Sequence, residues 1–345
     1  MIDFRYHLVS IVSVFLALAI GIVVGATAIK PELANRLNSA TSAEAKANNV
    51  LYAHNQQLKD EIGADQAFAQ AAEDSLLRGL LVGQHVVFVL APGADSPTVD
   101  GVTTALQKSG AAVTGQVVLS QQFFDTGSVN EQALKSSATT ATKLLPPGIA
   151  PPNSAADAQI SGQQAAAQVI TAAIVNKDGV GTVTAKASQK VLTGFGNAGF
   201  LQVNDGNGNP VLTGQATMAV VVLPATVPPA TTSGPFNLAL ISLAQDLRQA
   251  SMGAVLAGSL KGSGPRSAID AVKGGVPGVP LTTVDNAETV IGQIIVAQAL
   301  NELLTGKAAP AAYGVRPNAV PSPAPSASPS PSASSSQPTR KKTRR

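Results

Sequence analysis

The chain has 345 residues, of which 45% are hydrophobic, 3% aromatic and 12% charged, with a formal net charge of +3. That apolar fraction excludes a wholly disordered chain, and the scatter of apolar residues in short runs excludes a many-span membrane protein. The length suits one to three folded units, and the lack of any cysteine excludes disulfides, thiolate zinc sites, iron–sulfur clusters and thiol nucleophiles.

Residues 1–7 form a short N-terminal segment. Leu8 to Ala28 carries no charge; as a helix it would cover roughly 31 Å, enough to cross a bilayer once. A signal peptide is the competing reading, because Ala26-Thr27-Ala28 has the small-x-small form of a cleavage site. The length of the run, and Asp3 beside Arg5 ahead of it, favour an uncleaved anchor. Only Arg5 precedes the span whereas Lys30, Arg36 and Lys46 follow it, a bias that taken literally leaves the bulk of the chain in the cytoplasm. The signal-like start and the C-terminal tail point the other way, to an extracytoplasmic bulk. Inside the span, Gly21 and Gly25 form a GxxxG pattern at which two helix backbones can approach closely, making them dimerisation candidates; chance placement in a Gly-rich chain is the alternative.

Pro31 suits a first helical turn, and from Glu32 to about Arg78 only Gly63 interrupts a run rich in Ala, Leu, Glu, Gln and Lys. Residues 31–82 are therefore expected to be a helical stalk. A heptad register puts Leu33, Leu37, Ala40, Glu44, Ala47, Leu51, His54, Leu58, Glu61, Asp65, Phe68 and Ala72 on one seam. Most of these are apolar, with Leu33, Leu37, Leu51 and Leu58 as the strongest seam candidates for a coiled coil. An amphipathic helix folded back on the following domain is the alternative. Gly79 and Gly83 end the segment.

Gln84 to Leu90 reads QHVVFVL, the pattern of a strand buried on both faces. A helix over Thr98–Ser109 and a second strand through Val113, Val117, Val118 and Leu119 complete a strand–helix–strand unit, which implies a parallel pair. Later strands are expected at Met218–Leu223, Ala254–Gly258 and Leu281–Val284, and helices at Pro235–Gln249, Ser267–Val272 and Ala287–Leu304. Between them lie two helix-like stretches, Asn130–Leu145 and Ala155–Ile174, split by PPGIAPPN. Residues 84–306 thus read as one open, mostly parallel α/β sheet domain with a helical excursion around 130–175.

From residue 307 the composition turns to Pro and Ser, so residues 307–345 are expected to be extended and disordered. Arg340, Lys341, Lys342, Arg344 and Arg345 close the chain and are candidates for contact with an anionic surface; a solubilising tail without a partner is the alternative. The charge therefore divides. From Leu303 onward there are seven Lys or Arg and no acid, which leaves −4 on residues 1–302.

Little points to catalysis, and no enzyme is expected. Gly194-Phe-Gly196-Asn-Ala-Gly199 is a literal GxGxxG, but its flanks read as short strands, so a Gly-rich hairpin is the better reading than a dinucleotide loop. Asp205-Gly-Asn-Gly-Asn-Pro210 lacks the closing acid of a calcium loop and reads as a turn. The loop Ala91–Thr98 follows the first buried strand, a ligand position in open α/β sheets, although Asp95 or Ser96 can equally cap the next helix. Three histidines (His7, His54, His85) and three methionines (Met1, Met218, Met252) leave little for soft-metal binding, and His54 reads as a polar seam residue. No catalytic or cofactor-binding residue is assigned, and the metal ligands stay unknown.

The opening MIDFRYHLVSIVSVFLALAIGIVVGA, above all Asp3-Phe-Arg-Tyr-His7 and the glycines of the span, followed by the stalk and a strand–helix–strand unit ending in LSQQFF, resembles the actinobacterial MctB family, called copper transporter proteins. The late helix over Glu288–Leu304 fits the same organisation. The resemblance implies a single-pass membrane protein of the cell envelope linked to copper homeostasis, with most of its mass outside the cytoplasmic membrane; copper enters as a ligand through this resemblance alone. The expected partners are the lipid bilayer, further copies of the chain in a homo-oligomer, and a cell-wall or envelope protein. A scaffold or regulator of wall assembly or cell separation is the alternative function. Nucleic acid is not expected, since only the positive-inside bias and the terminal basic run favour a cytoplasmic nucleotide- or nucleic-acid-binding protein.

Overall fold

The computed structural model describes residues 4–27, 31–146, 160–177, 183–206, 208–306 and 309–323. The chain divides into two units, Met1–Asp65 and Gln66–Arg345.

The first unit holds α1 (Phe4–Thr27) and most of α2 (Pro31–Leu77). In α1, Tyr6–Gly25 is long and apolar enough to cross a membrane, and none of it is buried by other parts of the protein. Two of its hydroxyls bond inward to the helix backbone, Ser13 to the Val9 carbonyl at 2.7 Å and Thr27 to the Val23 carbonyl at 2.7 Å. Hydrocarbon demands such internal satisfaction, because it offers no partner of its own. Gly63 does not interrupt α2. Ahead of it the exposed face is supported by four-residue pairs, Gln56 donating to Asp60 at 3.0 Å and Gln57 to Glu61 at 2.9 Å.

The second unit begins with the last turns of α2 and continues through β1 (His85–Leu90), α3 (Ser96–Lys108), β2 (Ala112–Leu119), α4 (Ser128–Thr142), α5 (Gly162–Ile174), α6 (Ala185–Asn197) and β3 (Leu201–Asn204). It then runs through β4 (Met218–Val222), α7 (Ala230–Ala250), β5 (Gly253–Ala257), α8 (Ala268–Lys273), β6 (Thr282–Val284), α9 (Val290–Thr305) and β7 (Ala312–Tyr313). The seven strands lie in the order β3-β2-β1-β4-β5-β6-β7, all parallel except the antiparallel β2–β3 pair. The fold is a mixed α/β domain on an open, mostly parallel sheet.

The continuous apolar runs of β1, β4 and β5 follow from burial on both faces. In β1, Val87 and Val89 enter one core while Val86, Phe88 and Leu90 enter the other. The first core is covered by α4 to α8, and the second by α3, α9 and the end of α2. On that second face, Ala69 and Leu77 of α2 are buried and Gln66 accepts the Val290 N–H at 2.9 Å, serving the N-terminus of α9. Glu73, only 5% exposed, accepts a 2.6 Å hydrogen bond from Lys108 of α3, and Asp74 adds a contact at 3.3 Å. The hydrogen bond to Glu73 is the main reason the Lys108 pKa is raised.

Several sequence expectations shift. The stretch between Val183 and Phe200 contains α6, not a Gly-rich hairpin. Gly194 and Gly196 lie inside that helix and Gly199 ends it at φ +81°, with the Gly199 N–H donating to the Gly196 carbonyl at 2.9 Å and the Phe200 N–H to the Phe195 carbonyl at 3.0 Å. That pair of bonds is a Schellman motif, and its hydrophobic clasp is the fully buried Phe195 and Phe200. The next helix of that layer starts earlier than Pro235, at Ala230, so the proline sits within α7.

The fold also reaches past residue 306. β7 pairs with β6, and the Val320 N–H donates to the Ala312 carbonyl at 2.8 Å, so residues 309–323 belong to the sheet edge and not to the tail. Residues 324–345 lie outside the described residues.

Replacing Glu73 by Ala removes the 2.6 Å partner of Lys108, leaves Asp74 beside it, and lowers stability by about 0.5–1.5 kcal/mol. Chemical denaturation of the solubilised chain measures it, and Glu73→Gln is expected to recover part of the loss.

Asp246 on α7 gives a pH-dependent effect. Its Oδ2 is buried without a hydrogen-bond partner among the described residues, and burial pushes its carboxyl up to about 6. A raised carboxyl pKa means that ionisation is costlier in the folded state, so this destabilisation grows as pH rises from about 4 to about 6 and is complete above that. Asp246→Asn should therefore stabilise the chain at pH 7 by up to about 3 kcal/mol, with the gain vanishing near pH 4. Equal gains at both pH values would contradict this origin.

Candidate functional site

In a doubly wound sheet, ligands enter where the strand order reverses, here between the C-terminal ends of β1 and β4. The loops at this place bond to one another. The Ala225 N–H donates to the Gly93 carbonyl at 2.8 Å, Ser259 donates through Oγ to the Ala225 carbonyl at 3.1 Å, and the Gly262 N–H donates back to Ser259 Oγ at 3.1 Å. Asp95 acts as the N-cap of α3, accepting from the Thr98 N–H at 3.1 Å and the Thr98 hydroxyl at 2.6 Å. The residues that could greet a ligand are thus occupied in holding three loops together.

Further along the same edge, Asp285 at the end of β6 is fully buried. Its carboxylate accepts from the Val315 N–H at 2.9 Å and the Arg316 N–H at 3.3 Å, and Lys273 of α8 lies 3.3 Å away. Arg316 donates in turn to the Leu260 carbonyl, and the Leu260 N–H donates to Glu288 at 2.9 Å. Tyr313 donates its hydroxyl to Glu302 at 2.5 Å, and burial together with that carboxylate pushes the phenol pKa up. This network clasps residues 313–316 onto the sheet. In the sequence Asp285 shows only as a lone acid closing the run LTTVD, a pattern that does not mark it out.

The segment that begins at Asp205 is closed by its own groups. Asp205 and Asn209 bond to each other, side chain to side chain at 2.7 Å and backbone to backbone at 3.0 Å. Among the described residues, no group of three or more His, Asp or Glu is gathered as a metal site.

The candidate contact residues fall in three places. Gly21 and Gly25 lie in α1 with open space where a side chain would stand. Leu33 and Leu37 lie in the first turns of α2, where only the backbone is described. Leu51 and Leu58 are 57% and 41% exposed, in company with exposed Val50, Ile62 and Phe68. Arg340, Lys341, Lys342, Arg344 and Arg345 lie outside the described residues. Within the second unit, α2 shows two distinct stripes: Gln66, Ala69, Glu73 and Leu77 turn into the domain, whereas Phe68 and Leu76 stay exposed.

Comparison with known proteins adds relatives of nearly the same length. The chain is 27% identical over 322 residues to the copper transporter MctB of Mycobacterium tuberculosis strain H37Rv, covering 89% of this chain and 94% of that protein. It is 28% identical over 316 residues to the copper transporter MctB of Mycobacterium leprae, with the same two coverages. Residues 1–323 match the family model described as copper transport outer membrane protein, MctB, and with its apolar α1 the chain is a membrane protein that belongs to the MctB family.

Proposed function

We propose that this chain is a single-pass, membrane-anchored envelope protein that serves copper homeostasis, with its α/β domain on the extracytoplasmic side and with several copies assembled side by side. The observation that carries the reading is family membership across residues 1–323, joined to relatives named copper transporters. Copper is the cargo, not a resident cofactor. The chain brings no cysteine to it, and Met218 is fully buried within the sheet. A soft cation favours clustered thiolate, thioether or imidazole ligands. The role is accordingly one of assembly or partnership in the envelope, with copper handled by the oligomer or by what it recruits.

Assembly of copies rests on α1 and α2. Every copy that inserts through α1 in the same sense presents α2 in the same direction, so the exposed Leu51 and Leu58 meet their own counterparts in a parallel seam. Gly21 and Gly25 allow close approach of the spans. The basic residues Arg340 to Arg345 add attraction to anionic wall polymers or headgroups.

A second reading, a non-catalytic scaffold or regulator of wall assembly or cell separation, is favoured by the loops closed over the switch point of the sheet. A clean deletion scored for both traits separates the two. Copper sensitivity with normal cell shape supports the copper role, and chained or misshapen cells with normal copper tolerance support the scaffold.

Because the chain has no native cysteine, single replacements report contacts cleanly. Leu51→Cys in the seam should give a disulfide-linked dimer in membranes under mild oxidation, while Tyr52→Cys on the neighbouring face should not. Equal cross-linking at both positions, or none at either, would contradict the parallel seam.

A further inference from the structure

On the face carrying α7 and α8, helical cover thins out towards β6 and β7. The helix α8 has six residues, and the segment after it runs Gly-Gly-Val-Pro-Gly-Val-Pro from Gly274 to Pro280. Gly275 and Gly278 adopt φ +90° and +122°, which turns the chain twice in quick succession. One side chain holds this segment in place: Gln245 of α7 donates to the Pro277 carbonyl at 3.1 Å and to the Val279 carbonyl at 3.2 Å.

A groove of about 340 Å³ lies between that segment, the strand β6 and residues 310–312. Such a volume is at the small end of ligand pockets. Its walls are aliphatic, notably Val276, Val279, Leu281 and Pro310; the Gln245 amide is engaged by the Pro277 and Val279 carbonyls, which leaves Lys273 and Thr283 as the lining side chains with a donor to offer. The Lys273 ammonium already faces buried Asp285 at 3.3 Å, so its charge is matched while it retains protons to donate. The Thr283 hydroxyl is buried and has no partner among the described residues. An unsatisfied buried hydroxyl is costly, and a ligand acceptor would relieve it.

Because Lys273 and Asp285 cancel, a charged ligand would bring a charge that nothing in the groove neutralises. We propose that this groove binds a small, uncharged, mainly aliphatic molecule bearing one carbonyl acceptor, with Lys273 and Thr283 as the donors and Gln245 as the residue that positions the wall.

The test uses the full chain in lipid nanodiscs with isotope-labelled valine methyl groups, titrated separately with hexanamide, hexanoate and hexylammonium. Hexanamide should produce saturable shifts at Val276 and Val279, and the two ions should bind about tenfold more weakly. Thr283→Val keeps the shape of the side chain, so it should leave the thermal midpoint unchanged or raised and weaken hexanamide severalfold. Absence of saturable shifts, equal binding of the three probes, or unchanged hexanamide affinity in the Thr283→Val variant would overturn the assignment.

Discussion

The structure depends most on the way the last turns of α2 enter the sheet domain. Ala69 and Leu77 complete the core formed by β1, α3 and α9, Gln66 satisfies the first N–H of α9, and Glu73 accepts a hydrogen bond from the Lys108 ammonium on α3. Two of these contacts are polar and part-buried, tying the end of α2 to α3 and α9. The segment Gln66–Leu77 is therefore a structural member of the domain and not a detachable handle. Its exposed stripe, with Phe68 and Leu76, is left available for other contacts, because the buried stripe is committed to the sheet.

The sheet explains why a doubly wound topology here does not imply an enzyme. Fold alone never assigns chemistry, which has to be read from the site. At the switch point the carbonyls of Gly93 and Ala225, the hydroxyl of Ser259 and the carboxylate of Asp95 are all engaged by neighbouring chain. At the far edge Asp285 spends its carboxylate on two backbone N–H groups and Lys273. Polar groups that another fold would aim at substrate are used to hold loops and the C-terminal clasp.

Much of this was legible from residue pattern, and the exceptions have physical causes. Strands β1, β4 and β5 announced themselves because burial on both faces leaves no polar alternation to blur them, and α9 because its apolar run is too long for a strand. Helix α6 was hidden by its own glycines: Gly194 and Gly196 argue against a helix locally, and the tertiary burial of Val191, Leu192 and Phe195 overrides them. Strand β7 has two residues and owes its position to Asp285, Glu302 and Val320, distant groups that no local window contains. The same holds for the groove beside β6, whose turn-rich wall was readable as GVPGVP but whose floor was not. The contact candidates in α1 and α2 rested on periodicity alone, which marks a face without naming what meets it.

Native-state hydrogen exchange of the full chain in lipid nanodiscs tests the central claim most directly. If the end of α2 is part of the sheet's core, amides from about Gln66 to Leu77 should open only with β1 and β4, at the same free energy and with the same denaturant dependence. Exchange of those amides at a separate, lower free energy with little denaturant dependence would show that the helix end frays independently and would contradict the account.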